Sequence, residues 1–154
     1  MIKPLVFYKD PILHKKLKPV KDLGGETAQL AADMLDTCTV YQGVGLAANQ
    51  IGVDAQLFIT RYYPKFPQVY VNPEISIPPH TYREQGVEAC LSRPGVFVNK
   101  FRYKKVLITC DSVTGNKPGR ETITLQNRDA RIAQHEMDHL NGIVCWDGEE
   151  ETRA

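Results

Sequence analysis

The sequence lacks the features typical of membrane, exported and nucleic-acid-binding proteins. Its apolar stretches are far shorter than the roughly 20 residues that span a bilayer, and its first residues, MIKPLVFYKDP, match neither a signal peptide nor a transit peptide. No long run of like charges occurs, and 19 basic residues against 18 acidic ones leave a formal net charge of +1. We therefore expect a cytoplasmic protein that binds neither a membrane nor nucleic acid.

Cysteine is sparse, and repeats, low-complexity segments and long linkers are missing. The four cysteines show no C-x-x-C spacing, and without an export signal we expect no disulfide framework. Free cysteine is among the most buried residue types, so an arbitrary cysteine here is expected to be a small core residue. The 154 residues are predicted to form a single domain, residues 1–154.

The composition is that of an ordinary globular protein, with 42% hydrophobic and 24% charged residues. Apolar residues recur at helical spacing after Gly24-Gly25 and predict one long N-terminal helix over Glu26–Tyr41, ending at or just before Gly43. Alternating or β-branched runs predict short strands, and the second of these is expected to stop at Asn72-Pro73. The predicted strands are Gln56–Thr60, Val69–Val71, Gly86–Leu91, Lys104–Cys110 and Glu121–Leu125, with a turn at Ser112–Gly119.

A second helix is predicted over Arg128–Leu140, with Asn127 as its N-cap and Asn141-Gly142 as its stop signal. At 100° per residue, His135 and His139 share one stripe of this helix. A separate apolar flank consists of Ala130, Ala133, Met137 and Leu140. These patterns predict an α+β fold with mixed or antiparallel sheets packed around the C-terminal helix.

The second helix contains the motif H-E-x-x-H within Gln134–Gly142. Imidazoles at positions i and i+4 can ligate one divalent ion, and the intervening Glu136 can act as a base toward water bound to it. The alternative is an amphipathic helix with two incidental histidines. The glutamate at the second position and the helical context favour a metal site.

A catalytic site of this kind needs a third protein ligand, and spacing leaves its identity open. The downstream glutamates 149–151 lie close to the end of the sequence, in a tail that we expect to be mobile. Cys145 occupies the last position of the pattern H-E-x-x-H-x-x-G-x-x-H, which Gly142 otherwise satisfies. Cys90, at the end of a predicted strand, is the other candidate.

Three motifs resemble those of peptide deformylases, in the same order. They are GVGLAANQ (Gly43–Gln50), EACLS (Glu88–Ser92) and QHEMDHLNG (Gln134–Gly142), and the segment Asp10–Val20 is also similar to the family's N-terminal region. Two positions differ from typical bacterial members: Ala89 replaces a glycine, and the sequence stops at Ala154, where those members continue through a long helix. In this it is similar to compact, truncated members, including phage-encoded ones.

The resemblance implies a role for each matching residue. Glu136 corresponds to the catalytic carboxylate. The side-chain amide of Gln50 and the backbone N–H of Leu91 correspond to donors that stabilise the oxyanion of the transition state. The implied metal ligands are Cys90, His135 and His139.

The resemblance also implies the substrate and the cofactor. The reaction is removal of the formyl group from N-formyl-methionyl nascent peptides, with one Fe²⁺ or Zn²⁺ per chain, and the ribosome is an expected partner of a monomeric enzyme. We expect Gly45 to let a bound peptide approach the backbone closely. The substrate pocket is assigned to Val44, Leu91 and Ile132, with Arg131 at the mouth.

Two alternatives remain open. One is a metallopeptidase that uses Cys145 as its third ligand. The other is a non-catalytic peptide-binding module on the same scaffold. Outside the site, we expect Glu88 to pair with Arg102, and Asp138 to form a salt bridge rather than to ligate the metal.

Overall fold

The computed structural model describes residues 1–61, 68–111, 119–148 and 151–153. Two α-helices and eight strands form the framework of these residues. The helices are α1 (Gly25–Val40) and α2 (Asn127–Leu140). The strands are β1 (Gly45–Ala47), β2 (Leu57–Thr60), β3 (Gln68–Ser76), β4 (Arg83–Cys90), β5 (Arg93–Tyr103), β6 (Lys105–Asp111), β7 (Arg120–Gln126) and β8 (Glu151–Arg153). Short 3-10 helices span Pro11–His14 and Ala48–Ile51.

The strands form two antiparallel sheets. The larger has the order β1-β2-β3-β6-β7, and the smaller has the order β4-β5-β8. The predicted α+β class is therefore confirmed. Neither described helix is both long and apolar enough to cross a membrane.

The larger sheet separates the two helices because successive side chains of a strand point to opposite faces. On β2, Phe58 packs in the core cluster that contains the apolar flank of α2, whereas Leu57 and Ile59 pack with Met34 and Cys38 of α1. The flank residues of α2 in this core are Ala130, Ala133, Met137 and Leu140. Because α2 buries this flank against the sheet, its histidine-bearing face can turn toward β4.

Both helices were predicted almost to the residue, but the start of α2 differs. Its N-cap is Gln126, which makes no side-chain capping bond, and Asn127 has φ +55°. Asparagine tolerates the left-handed conformation better than most residues. Asn127 therefore turns the chain from β7 into α2, and the predicted N-cap was wrong by one residue. The stop was correct, because Asn141 is the C-cap and Gly142 has φ +74°.

All five predicted strands are present, but Asn72-Pro73 does not end the second one. Asn72 has φ +48° and lies at a register shift, so that β3 continues past it as a bulged strand. Its side chain also bonds both backbone polar groups of Val20, at 2.7 and 2.8 Å. A side chain that makes these bonds stabilises a bulge that a pattern of apolar residues does not reveal.

Three strands were not predicted. β1 is only three residues long, and the second and third residues of β5 are the Pro94-Gly95 pair, which is more typical of a turn. The tail was expected to be mobile, yet its residues Glu151–Arg153 pair with Val96–Val98 of β5. The predicted turn lies outside the described residues except for Gly119.

The C-terminal turn of α2 gives a prediction about stability. Gly142 has φ +74°, and a Cβ there would lie 2.6 Å from the backbone carbon of Lys15. Gly148 has φ +67° but no atom within 4 Å of such a Cβ. Gly148→Ala should therefore cost about 1 kcal/mol for the backbone conformation alone, and Gly142→Ala should cost more. Urea unfolding of both variants measures the difference, and equal losses would contradict the close packing of α2 on residue 15.

Candidate metal centre

The three motifs meet beside the C-terminal half of α2. Asn49 of the first motif donates from Nδ2 to the backbone oxygen of His139 at 2.9 Å. Gln50 donates from Nε2 to Ser92 Oγ of the second motif at 3.1 Å. Segments far apart in the sequence are thus tied to one end of the histidine helix.

Three donor atoms converge there. One ligand atom each from Cys90, His135 and His139 lies within 4.8 Å of the other two, and all three side chains are almost completely buried. The Sγ of Cys90 is 3.4 Å from Nε2 of His139. A sulfur and a nitrogen bound to one tetrahedral ion at about 2.3 and 2.0 Å lie about 3.5 Å apart. The donor set therefore fits a single divalent ion.

A second group of donors overlaps the first. Cys145, Glu88 and His135 also have ligand atoms within 4.8 Å of one another. However, the carboxylate of Glu88 already accepts hydrogen bonds of 2.9 Å from Arg102 and from Arg131. Burial raises the pKa of the Cys145 thiol to about 11, which disfavours the thiolate that a metal requires. This group is the poorer metal site.

Glu88 fixes the orientation of His135. Its Oε1 accepts from Nδ1 of His135 at 3.0 Å, and because a carboxylate only accepts, Nδ1 carries the proton. Nε2 is then the ring atom left to face Cys90. Burial by itself would raise the pKa of Glu88, but the hydrogen bonds from Arg102 and His135 and the charge of Arg102 lower it overall. Glu88 therefore stays ionised, in the position of a carboxylate that orients a metal-binding histidine.

Glu136 lies between the histidines in sequence and against the first motif in space. It is 4% exposed, and a Cβ on Gly45 would lie 2.7 Å from its Oε1. This packing supplies a reason for glycine at position 45 besides the expected contact with a peptide. Oε2 of Glu136 is buried and has no hydrogen-bond partner among the described residues. Burial raises its pKa to about 7, and a nearby cation would favour the charged form again.

Gln50 directs its amide nitrogen toward the donor cluster. Its Oε1 accepts from the backbone N–H of Ala47 at 3.0 Å, so that Nε2 faces the other way, 3.4 Å from Cys90 Sγ. The side chain is 2% exposed and therefore has little freedom. Leu91, whose backbone N–H was expected to be the second donor, directly follows Cys90 and lines the adjoining cavity.

A cavity of about 650 Å³ opens onto these residues. The guanidinium of Arg131 belongs to its wall and is bound to Glu88, rather than projecting as a free group at the mouth. Ala89, the departure from the family motif, is exposed and has no positive φ, so its methyl group is accommodated without backbone strain. The predicted substrate residues that line the cavity are Val44, Gly45, Leu91, Arg131 and Ile132.

Sequence reasoning found the pair Glu88–Arg102, which the structure shows at 2.9 Å. It also found that Asp138 forms a salt bridge, but not that the partner is Arg102, at 2.6 Å. It missed the hydrogen bond from His135 to Glu88. The only signal for it was the position of Glu88 two residues before Cys90, which puts both side chains on one face of β4. It also missed Gly86, over which Arg131 packs.

A buried Cys/His/His cluster beside a buried glutamate is the arrangement of a metal-dependent hydrolase. Comparison with known proteins agrees and is more specific. The family profile described as Polypeptide deformylase matches residues 2–153. The chain is 37% identical to the peptide deformylase of Thermus thermophilus, over 96% of this chain and 82% of that protein.

Solved structures agree with the sequence comparison. The peptide deformylase of Thermotoga maritima has a TM-score of 0.87 and 34% identity, over 96% of this chain and 97% of that chain. The structure from Synechococcus elongatus, a complex with actinonin, has a TM-score of 0.88 and 34% identity, over 96% and 79% of the two chains. The chain therefore belongs to the polypeptide deformylase family. It is a metal-dependent hydrolase that removes the N-formyl group from formyl-methionyl peptides and releases formate.

The geometry predicts which cysteine completes the metal site. Cys90→Ala should lose both bound metal and activity, because it removes the only sulfur that faces both histidines in the described cluster. Cys145→Ser makes a comparable change in the neighbouring buried thiol and should keep both. Metal content by mass spectrometry and formate release measure the two effects. The reverse outcome would make Cys145 the third ligand and favour the peptidase alternative.

Proposed function

We propose that Cys90, His135 and His139 bind one divalent ion and that Glu136 moves the proton during deformylation. The observation that carries this proposal is the convergence of the three donor atoms within 4.8 Å beside the buried carboxylate of Glu136. An ion bound there supplies a Lewis acid that polarises the formyl carbonyl and acidifies water. The remaining steps belong to side chains of the protein.

Glu136 accepts a proton from the water molecule that attacks the formyl carbon. As the C–N bond breaks, the same carboxyl group gives a proton to the nitrogen of the methionine, which leaves as a free amine, while formate is released. The carboxylate is fixed for this work by its packing on Gly45, and its Oε2 is free of other partners among the described residues. A base that is already buried and oriented needs little rearrangement in the transition state.

Gln50 and Leu91 stabilise the negative charge that develops on the formyl oxygen. The amide of Gln50 is held beside Cys90 by its bond to Ala47, which supports its proposed role as a donor to the developing charge. The backbone N–H of Leu91 is the second proposed donor, because it follows the cysteine directly. Donors fixed before reaction stabilise the transition state more than the ground state.

The cavity receives the peptide. Val44, Leu91 and Ile132 supply apolar surface for the methionine side chain, and Arg131 forms part of the wall. Gly45 borders the same space and permits close approach of the substrate backbone. We propose that the substrates are nascent chains emerging from the ribosome in the cytoplasm, and that the enzyme acts as a monomer.

Fe²⁺ is the proposed native ion, and Zn²⁺ is the alternative. Two imidazoles and a thiolate suit either metal. The choice of iron rests on the family resemblance. It is therefore a separate proposal from the ligand set and needs its own test.

The identity of the ion can be tested by stability in air. The iron form should lose activity faster than the zinc form, because Fe²⁺ oxidises readily, whereas Zn²⁺ has no redox chemistry and leaves only the thiolate to be oxidised. Half-lives of formate release in aerated buffer measure this, with anaerobic samples of each form as controls. Equal half-lives in air would contradict an iron-dependent enzyme.

Glu136→Gln tests the proposed acid–base role. Glutamine keeps the size of the side chain but cannot accept the proton, so turnover should fall by about 10² to 10⁴ while bound metal and fold are retained. Asp129→Asn makes the same chemical change about two turns earlier on α2 and should leave turnover unchanged. Near-normal formate release by metal-loaded Glu136→Gln would refute the mechanism.

A further inference from the structure

Arg131 is held rigidly across the gap between α2 and the smaller sheet. Its Nη1 donates to Glu88 Oε2 at 2.9 Å and to the backbone oxygen of Lys100 at 3.0 Å, and its Nη2 donates to the backbone oxygen of Glu84 at 2.6 Å. The side chain is 20% exposed. Three hydrogen bonds to two neighbouring strands fix the guanidinium in a single position. Long cationic side chains usually have more conformational freedom.

The space for the guanidinium exists because position 86 carries no side chain. A Cβ on Gly86 would lie 2.8 Å from Cζ of Arg131 and 2.9 Å from its Nη2. Gly86 has no positive φ, so the backbone itself does not require glycine there. Gly86 and Arg131 are therefore a matched pair, in which the guanidinium fills the volume that a side chain at position 86 would occupy.

The guanidinium lies between two cavities. Arg131 lines the catalytic cavity of about 650 Å³ and also a second cavity of about 280 Å³, and Arg128, about one turn earlier on α2, borders both cavities as well. Glu88 borders only the first of these cavities, and Gly86 and Arg102 border only the second. The ion cluster of Glu88, Arg102 and Arg131 is thus a partition, and Arg131 is the member that faces both sides.

We propose that Arg131 determines substrate specificity by closing the end of the pocket for the first side chain of the formylated peptide. The inference rests on the proposed function, because it places that side chain in the catalytic cavity. On this proposal, a linear side chain of methionine length ends in front of the guanidinium, and a longer one meets it. Without the guanidinium, the second cavity becomes an extension of the pocket.

The test uses N-formyl tripeptides that differ only in the length of the first side chain: methionine, and unbranched butyl, pentyl and hexyl analogues. In the wild-type enzyme, kcat/KM should fall at least about tenfold from butyl to hexyl, the size of effect that one or two excess methylenes produce against a fixed wall. In Arg131→Ala, the ratio of kcat/KM for the hexyl substrate to kcat/KM for the butyl substrate should be at least about tenfold higher than in the wild type. The reason is that burial of each added methylene favours binding by about threefold to fourfold. Should Arg131→Ala fail to fold, Arg131→Met, which keeps most of the stem, replaces it with the same expected direction.

Two further variants separate the wall from other effects. Arg83→Ala removes an exposed arginine of β4 that lines neither cavity. The hexyl-to-butyl ratio of kcat/KM in this variant should equal that of the wild type. Gly86→Leu combined with Arg131→Ala refills the vacated volume without charge and should restore the preference for short side chains. A double variant that keeps the relaxed preference would overturn the assignment of the guanidinium as a wall.

A structural role for Arg131 gives a different result. If Arg131 only supported Glu88, its removal would lower the metal content or lower kcat/KM for all four substrates by one common factor. Either result, with the hexyl-to-butyl ratio of kcat/KM unchanged, overturns the proposal. Absence of formate release from every peptide by the metal-loaded wild type would instead refute the proposed function. Calorimetric binding of the unformylated peptides then tests the wall alone, because the ratio of their Kd values should shift in Arg131→Ala and not in Arg83→Ala.

Discussion

The buried carboxylate of Glu88 is the interaction on which the rest of the site depends. Glu88 is 5% exposed and Arg102 is 7% exposed, and both oxygens of the carboxylate accept from this arginine. Breaking a buried pair of this kind by removing one partner costs about 3–5 kcal/mol. The same carboxylate holds His135 and Arg131, so one residue of β4 fixes a proposed metal ligand, joins α2 to the smaller sheet and anchors Arg131 in the wall of the adjoining cavity.

The position of α2 between the two sheets explains how one helix can serve both stability and chemistry. Its apolar flank completes the core under the larger sheet, and the face that carries His135 and His139 turns toward β4. The first motif contacts the donor cluster as well, through Asn49, which bonds the backbone of His139, and Gln50, which lies beside Cys90. The donor cluster is consequently held by three segments, and burial of Glu136 follows from the same packing.

The sequence predicted the elements with strong periodicity or a specific motif. Both helices and five strands follow from spacing, the pair Glu88–Arg102 follows from charge, and the family follows from three motifs in order. The bulge at Asn72 and the strand β8 depend on contacts with distant segments, which no local pattern encodes. The relation between Gly86 and Arg131 was missed for the same reason, because 45 positions separate a residue without a side chain from the one that fills its space.

In the proposed mechanism, one ion at Cys90, His135 and His139 enables the enzyme to deformylate a peptide. Titration of metal-free protein with Fe²⁺ under anaerobic conditions, followed by formate release from a formyl-methionyl peptide, tests it most directly. We predict no release without metal and a linear rise in activity that ends at one ion bound per chain. Formate release that persists in the chelated protein, or that is absent at full metal occupancy, would contradict the account.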